Sequence, residues 1–156
     1  MKPLHYIFMA SVILFLGCSQ NNKNNLNEKA SVFTVDELPE NPLSLSPITF
    51  SINPTKATMS TLYGNSIAFH HAMNKANNHY PNGAVLYEVT WHQKADSLWF
   101  GANIPDKITL IERIKFSEDL LPKYELYAGS PLKKVVTKDE SKRIAFIISQ
   151  RMANNP

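Results

Sequence analysis

The chain predicts an α+β domain, with an antiparallel sheet of about four to five strands and two main helices. Three observations carry that expectation. Residues 84–92 alternate apolar and polar side chains, as a strand does. Two apolar stripes at helical spacing each follow a residue able to cap a helix. Turn signals at residues 80–83 and at Gly129 and Pro131 keep the elements short and consecutive.

Taken in order, residues 48–52 alternate as a half-buried strand. Asn65 is placed to cap a helix from Ser66 to about Ala76, with Phe69, Ala72, Met73 and Ala76 on its apolar stripe. Tyr80-Pro81-Asn82-Gly83 reads as a turn, because proline presets one dihedral and Asn-Gly tolerates positive ones. In the strand that follows, Val85, Tyr87, Val89 and Trp91 point one way and Glu88, Thr90 and His92 the other. Residues 97–102 are expected to pair back on it as a hairpin. Residues 107–116 read as a further strand or a short helix, and residues 124–127 as a short strand. Thr137 and Glu140 fit a capping box for a last helix carrying Ile144, Ile147, Ile148, Arg151 and Met152.

Ahead of the domain the composition changes. Residues 6–16 are apolar apart from Ser11, follow a single fixed positive charge at Lys2, and lead to Gly17-Cys18, the only cysteine. The run is too short to span a bilayer and fits the core of a signal peptide. A small residue before cysteine at that place resembles the lipobox of bacterial lipoproteins, with Phe15 where leucine is usual. The resemblance implies cleavage before Cys18 and acylation of its thiol, a lipid such as palmitate then holding the chain to the membrane. A mature chain starting there has 139 residues, a formal charge lowered from +3 to +2 by loss of Lys2, and no thiol free for a disulfide. Ser19 stands where an inner-membrane lipoprotein carries aspartate, which by the same resemblance implies the outer membrane, facing the periplasm. Residues 18–47 read as an Asn- and Pro-rich tether on which the domain, 48–156, does not depend. With 16 basic and 13 acidic residues and no basic run, nothing points to a nucleic-acid partner.

Chemistry-bearing motifs are scarce. No G-x-S-x-G, phosphate-cradling glycine loop or H-E-x-x-H occurs. His5 falls in the signal peptide, His70 and His71 diverge by about 100° on one helix, and His79 precedes a turn. His92 shares a strand face with Glu88 that reads as solvated. Asp36, Glu37 and Glu40 lie in the tether, and Glu118 and Asp119 in a loop. Trp91, Trp99 and Phe100 read as core and sheet-face packing.

Three stretches, ATMSTLYGNSIA (57–68), YPNGAVLYEVTW (80–91) and WFGANIP (99–105), follow one another in an order that resembles the cytochrome P-460 family of bacterial envelope proteins. The resemblance implies a mostly antiparallel β domain with flanking helices. Members of that family hold a c-type haem, oxidise hydroxylamine or bind small gases, and attach the haem through a C-terminal C-x-x-C-H motif and a strand lysine. Residues 137–156 contain neither cysteine nor histidine, so no haem residue carries over, although Lys94 and Lys107 stand as possible lysine counterparts. The expectation is a lipid-anchored envelope protein without cofactor, either a small-ligand-binding or a structural module. Two alternatives stand beside it. One is a non-covalent haem protein with redox or gas-binding activity, using His70, His71 or, as the best candidate axial ligand, His92. The other is an accessory lipoprotein docking on an envelope partner.

Overall fold

A computed structural model describes residues 27–74, 77–118 and 121–152. The expected signal peptide, Cys18, Ala76 and Asp119 lie outside the described residues. Six strands form one antiparallel meander in sequence order: β1 Ser46–Asn53, β2 Thr58–Gly64, β3 Val85–Ala95, β4 Asn103–Lys115, β5 Lys123–Ala128 and β6 Lys133–Val135. Among the described residues two α-helices, α1 Ser66–Asn74 and α2 Glu140–Ser149, complete an α+β fold.

The sheet has more strands than the four to five expected. β2 escapes the strand pattern because Thr58, Ser60 and Thr61 dilute its apolar residues, yet it pairs along its whole length with β1 and β3. β6 is only three residues long. Residues 97–102, expected as a strand, instead form the loop between β3 and β4, closed by the Asp96 amide donating to the Ala102 carbonyl at 2.9 Å. The pairing partner of β3 is residues 103–115, a strand and not a helix.

β3 lies at the centre and is covered on both faces. On one face, Leu62, Leu86, Ile114 and Tyr124 pack with Ala68 of α1 and Ile147 of α2. Asn65 caps α1 as expected. Its Oδ1 accepts from the Ala68 amide at 3.0 Å and the Val85 amide at 3.2 Å, while its Nδ2 donates to the Gly83 carbonyl at 2.8 Å. One side chain thus fixes the helix start, the 81–84 turn and the head of β3. Gly64 lets α1 approach, since a Cβ there would lie 2.8 Å from Ile48 Cδ1 and 2.9 Å from Ala68 Cβ. Met73, expected on the buried stripe, is exposed. The capping box does not form. Thr137 Oγ1 accepts from the Asp139 amide at 3.3 Å, and α2 begins one residue later.

On the other face, Val85, Tyr87, Val89, Trp91, Ile111 and Tyr127 form a second core, and residues 30–45 of the supposed tether close it. Ala30, Val32, Leu38, Leu43 and Leu45 pack there. Trp91 Nε1 donates to the Ala30 carbonyl at 3.0 Å, and the Tyr87 hydroxyl donates to Glu40 at 3.1 Å. Asp36 Oδ1 accepts from the Leu132 amide at 2.8 Å, and Glu37 from the Lys134 amide at 2.9 Å. Prolines 39 and 42 deny this segment regular strand pairing but not apolar burial, while Pro47 stands inside β1 opposite Tyr63. Packing on the sheet therefore begins well before Ile48.

Candidate functional site

Glu88 of β3 and Glu112 of β4 face each other directly across the strand pair, and each is about 2% exposed. Two carboxylates opposite one another repel, and burial removes the water that would screen them. Arg143, in the first turn of α2, supplies the compensating charge. Its Nε donates to Glu112 Oε1 at 2.7 Å and its Nη2 to Oε2 at 2.5 Å, the two-pronged geometry that a guanidinium offers a carboxylate. The same Nη2 stands 3.6 Å from Glu88 Oε2, which accepts from Gln150 Nε2 at 2.9 Å. The Tyr124 hydroxyl donates to Glu112 Oε1 at 2.5 Å.

One arginine thus serves two carboxylates and grips only one. Burial pushes Glu88 up from 4.5 to about 7, and repulsion from Glu112 adds to it, while Arg143 and Gln150 pull weakly the other way. Burial and the Glu112 carboxylate also push the Tyr124 hydroxyl well above its ordinary value, so it stays a donor. The hydrogen bonds to Glu112 hold Arg143 firmly protonated.

These groups floor a cavity of about 370 Å³ between the sheet and the start of α2, a size suited to a small ligand. Its walls carry hydroxyls from Ser51, Thr58, Ser60, Thr90 and Thr109. Ser60 and Thr90 share a hydrogen bond at 2.8 Å across β2 and β3, and Thr109 donates to the Thr90 carbonyl at 3.0 Å. Phe146 closes one side, with Arg143 4.8 Å above its ring. The arrangement can hold a polar group, take or release one proton near neutrality at Glu88, and offer negative charge to a cation.

A second polar cluster sits on the opposite face. Glu125 accepts from Arg113 at 2.7 Å, Lys134 at 2.8 Å and the Tyr127 hydroxyl at 3.1 Å. Burial raises this carboxyl, but those hydrogen bonds outweigh it and bring it down to about 2. Fully compensated, it reads as a structural tie under the N-terminal segment.

The residues singled out from sequence lie elsewhere. His92 is exposed, paired in register with Thr58, and does not line the cavity. The face it shares with Glu88 is solvated only at the His92 end: the C-terminal helix α2 covers it at Glu88. His70 and His79 are exposed, and His71 meets Asn77 at 3.0 Å and lies against the Tyr80 ring at 4.7 Å. Among the described residues no group of three His, Cys, Asp or Glu side chains could hold a metal, and no helix is long and apolar enough to cross a membrane. Lys94 pairs with Asp106 at 3.6 Å, and Lys107 is exposed. Asp36, Glu37 and Glu40 tie the N-terminal segment down, and Glu118 accepts from Asn82 at 3.4 Å. Trp99 and Phe100, expected in the core, are exposed.

Sequence reasoning paired Glu88 with His92, as a charged surface couple or part of a pocket, and passed over Glu112 and Arg143. A signal was present. Glu88 is a lone charge inside an apolar run, VLYEVTW, and Glu112 and Arg143 adjoin apolar residues in TLIERIK and KRIAFII, where a solvated charge is out of place. No protein-family model and no curated protein matches the chain.

Proposed function

We propose that the chain is a lipid-anchored cell-envelope protein whose domain, similar in sequence to cytochrome P-460 but without covalent haem, binds a small polar ligand in the Glu88–Glu112–Arg143 cavity. The carrying observation is the buried carboxylate pair that shares a single arginine under hydroxyl-bearing walls. Above pH 7 that floor carries one negative charge more than Arg143 balances, and Lys56 and Asp139, which also line the cavity, offset one another, so the ligand that suits it bears an ammonium or similar cationic group with hydroxyl or amide partners. The anchor is the acylated Cys18, in the outer membrane facing the periplasm. The chain uses no haem. Thioether attachment needs a free thiol, and the single cysteine, Cys18, carries the lipid, while His92, the best imidazole for a non-covalent haem, does not line the cavity.

Calorimetric titration with small hydroxylated amines, and with polyols of the same size, tests the binding reading. Amines are expected to bind more tightly at pH 8 than at pH 5.5, with at least a tenfold loss in Glu88→Gln. Equal affinity for neutral polyols, or none for amines at pH 8, would refute it. The mass of the mature N-terminus reads the anchor, and the visible spectrum of protein from its native host is expected to lack a Soret band.

A further inference from the structure

The loop between β3 and β4 carries three strongly exposed large apolar residues in succession. Leu98 is 85% exposed, Trp99 72% and Phe100 fully so. Nothing holds them inward, and the loop itself is well built. Asp96 Oδ1 accepts from the Leu98 amide at 2.8 Å, the Ala102 amide donates to the Trp99 carbonyl at 3.1 Å, and Gly101 takes a positive φ of 80° that a side chain would strain. Residues 97–102 carry no charge, and the nearest pair behind them, Lys94 and Asp106, neutralises itself. The turn between β1 and β2 lies at the same end of the sheet, because Thr58 pairs with His92 near the end of β3. Phe50 and Ile52 of β1 are exposed beside that turn.

Where the N-terminal segment leaves the domain decides what this end meets. Asn27, the first described residue, donates through Nδ2 to the Pro105 carbonyl at 3.1 Å and the Asp106 carbonyl at 2.5 Å. Pro105 is the third residue of β4, so the chain departs about 7 Å along the strand from the loop. Nine peptide steps separate Asn27 from Cys18, a reach of about 30 Å at full extension. A lipid at Cys18 therefore keeps this end of the sheet within one tether length of the bilayer. Tryptophan and phenylalanine are side chains that settle at the membrane–water boundary, and the one carboxylate beside them in the chain, Asp96, is turned to the Leu98 amide.

We propose that Leu98, Trp99 and Phe100 form a membrane-contacting tip that inserts into the bilayer holding the Cys18 lipid. The inference rests on the anchored reading above. It gives the domain a fixed orientation, with the β3–β4 loop against lipid.

The two tryptophans make the test direct. Trp91 is buried and hydrogen-bonded to Ala30, so it is a silent internal control, whereas Trp99 reports the tip. The full acylated protein is reconstituted in vesicles of phosphatidylethanolamine and phosphatidylglycerol carrying acyl-chain bromines, and the mass of its N-terminus is read in parallel. Expected are a blue-shifted emission and quenching by bromine of the Trp99 component, both lost in Trp99→Phe, with Trp99 shielded from aqueous iodide. Vesicle-bound protein in which iodide quenches Trp99 and bromine does not would overturn the inference while leaving the anchor intact. Should Cys18 prove unmodified, quenching of Trp99 by brominated vesicles still supports the tip, and its absence overturns tip and anchor together. Shielding of Trp99 without lipid, accompanied by a larger hydrodynamic mass, assigns the tip to a second copy of the chain and also overturns the inference.

Discussion

At pH 8 the Glu88→Gln variant is expected to melt above the wild-type protein, although it removes a charge facing an arginine. The reason is the crowding of two carboxylates around one guanidinium. Glu88 titrates near 4.5 when exposed and near 7 in the folded chain, because burial and Glu112 both disfavour its charged form. Between those values the native state holds a proton that the unfolded chain has released. Stability therefore falls as pH rises from about 4.5 to about 7 and is level above that. At ~1.4 kcal/mol per unit the difference amounts to about 3 kcal/mol. Glutamine has the same shape, can still accept from Gln150, and has no charge to desolvate.

Thermal unfolding of both proteins from pH 5 to pH 8 reads the effect. The wild-type melting temperature should fall by roughly 10 °C across that range, given the scaling for a domain of this size. The variant should be nearly flat and should overtake the wild type at the alkaline end. Glu125 does not confuse the reading, since its lowered value near 2 confines its own contribution to loss of stability below about pH 4.5. A wild-type profile that is flat from pH 5 to pH 8, with Glu88→Gln less stable at pH 8, would show that Arg143 compensates both carboxylates and would refute the shared-arginine account.

The other expectations are briefer. Arg143→Met should lower stability by about 3–5 kcal/mol at pH 8, because it leaves Glu88 and Glu112 buried without a cation, and adding Glu112→Gln should recover part of that loss in a double-mutant cycle. Deleting residues 19–44 should lower the melting temperature by more than about 8 °C and expose Trp91 to aqueous quenchers, since the segment covers the second core. A deletion that melts like the full chain would return the segment to the role of a passive tether. Gly64→Ala should cost about 1–3 kcal/mol by forcing α1 off β2, measured by urea unfolding.

The elements legible in the sequence were those whose signal is local. Asn65, the Pro81–Gly83 turn and the alternation of β3 depend on neighbours a few residues away, and each stands in the structure much as its pattern indicates. What escaped depends on distant partners. The alternation of β3 reveals two faces but not that both are buried, because Glu88 looks like a water-facing residue until Arg143 and Gln150 arrive from the far end of the chain. The N-terminal segment has the prolines of a linker, and only its contacts with Leu132, Tyr87 and Trp91 show that it is part of the core. Trp99 and Phe100 fail in the opposite sense. Their residue types suggest burial, but Gly101 closes a loop that turns them outward.

This division follows the fold's construction. The meander pairs strands that are consecutive in sequence, with α1 the one element inserted between neighbours, so its pairing is decided over short stretches of chain. The two segments that cover it come from opposite ends and reach β3 across 61 residues to Ala30 and 62 to Gln150. They meet on successive residues, since Tyr87 holds Glu40 on one face while Glu88 meets Arg143 and Gln150 on the other. A ligand that neutralises Glu88 therefore tightens α2 one peptide unit from the residue that secures the N-terminal segment. That segment also leads from Asn27 toward Cys18. Cavity and N-terminal segment are joined through the backbone of a single central strand. Hydrogen exchange should show it: an amine bound at Glu88 is expected to slow exchange in α2 and also in residues 30–45 across the sheet. Slowing confined to α2 would mean that the two faces respond independently.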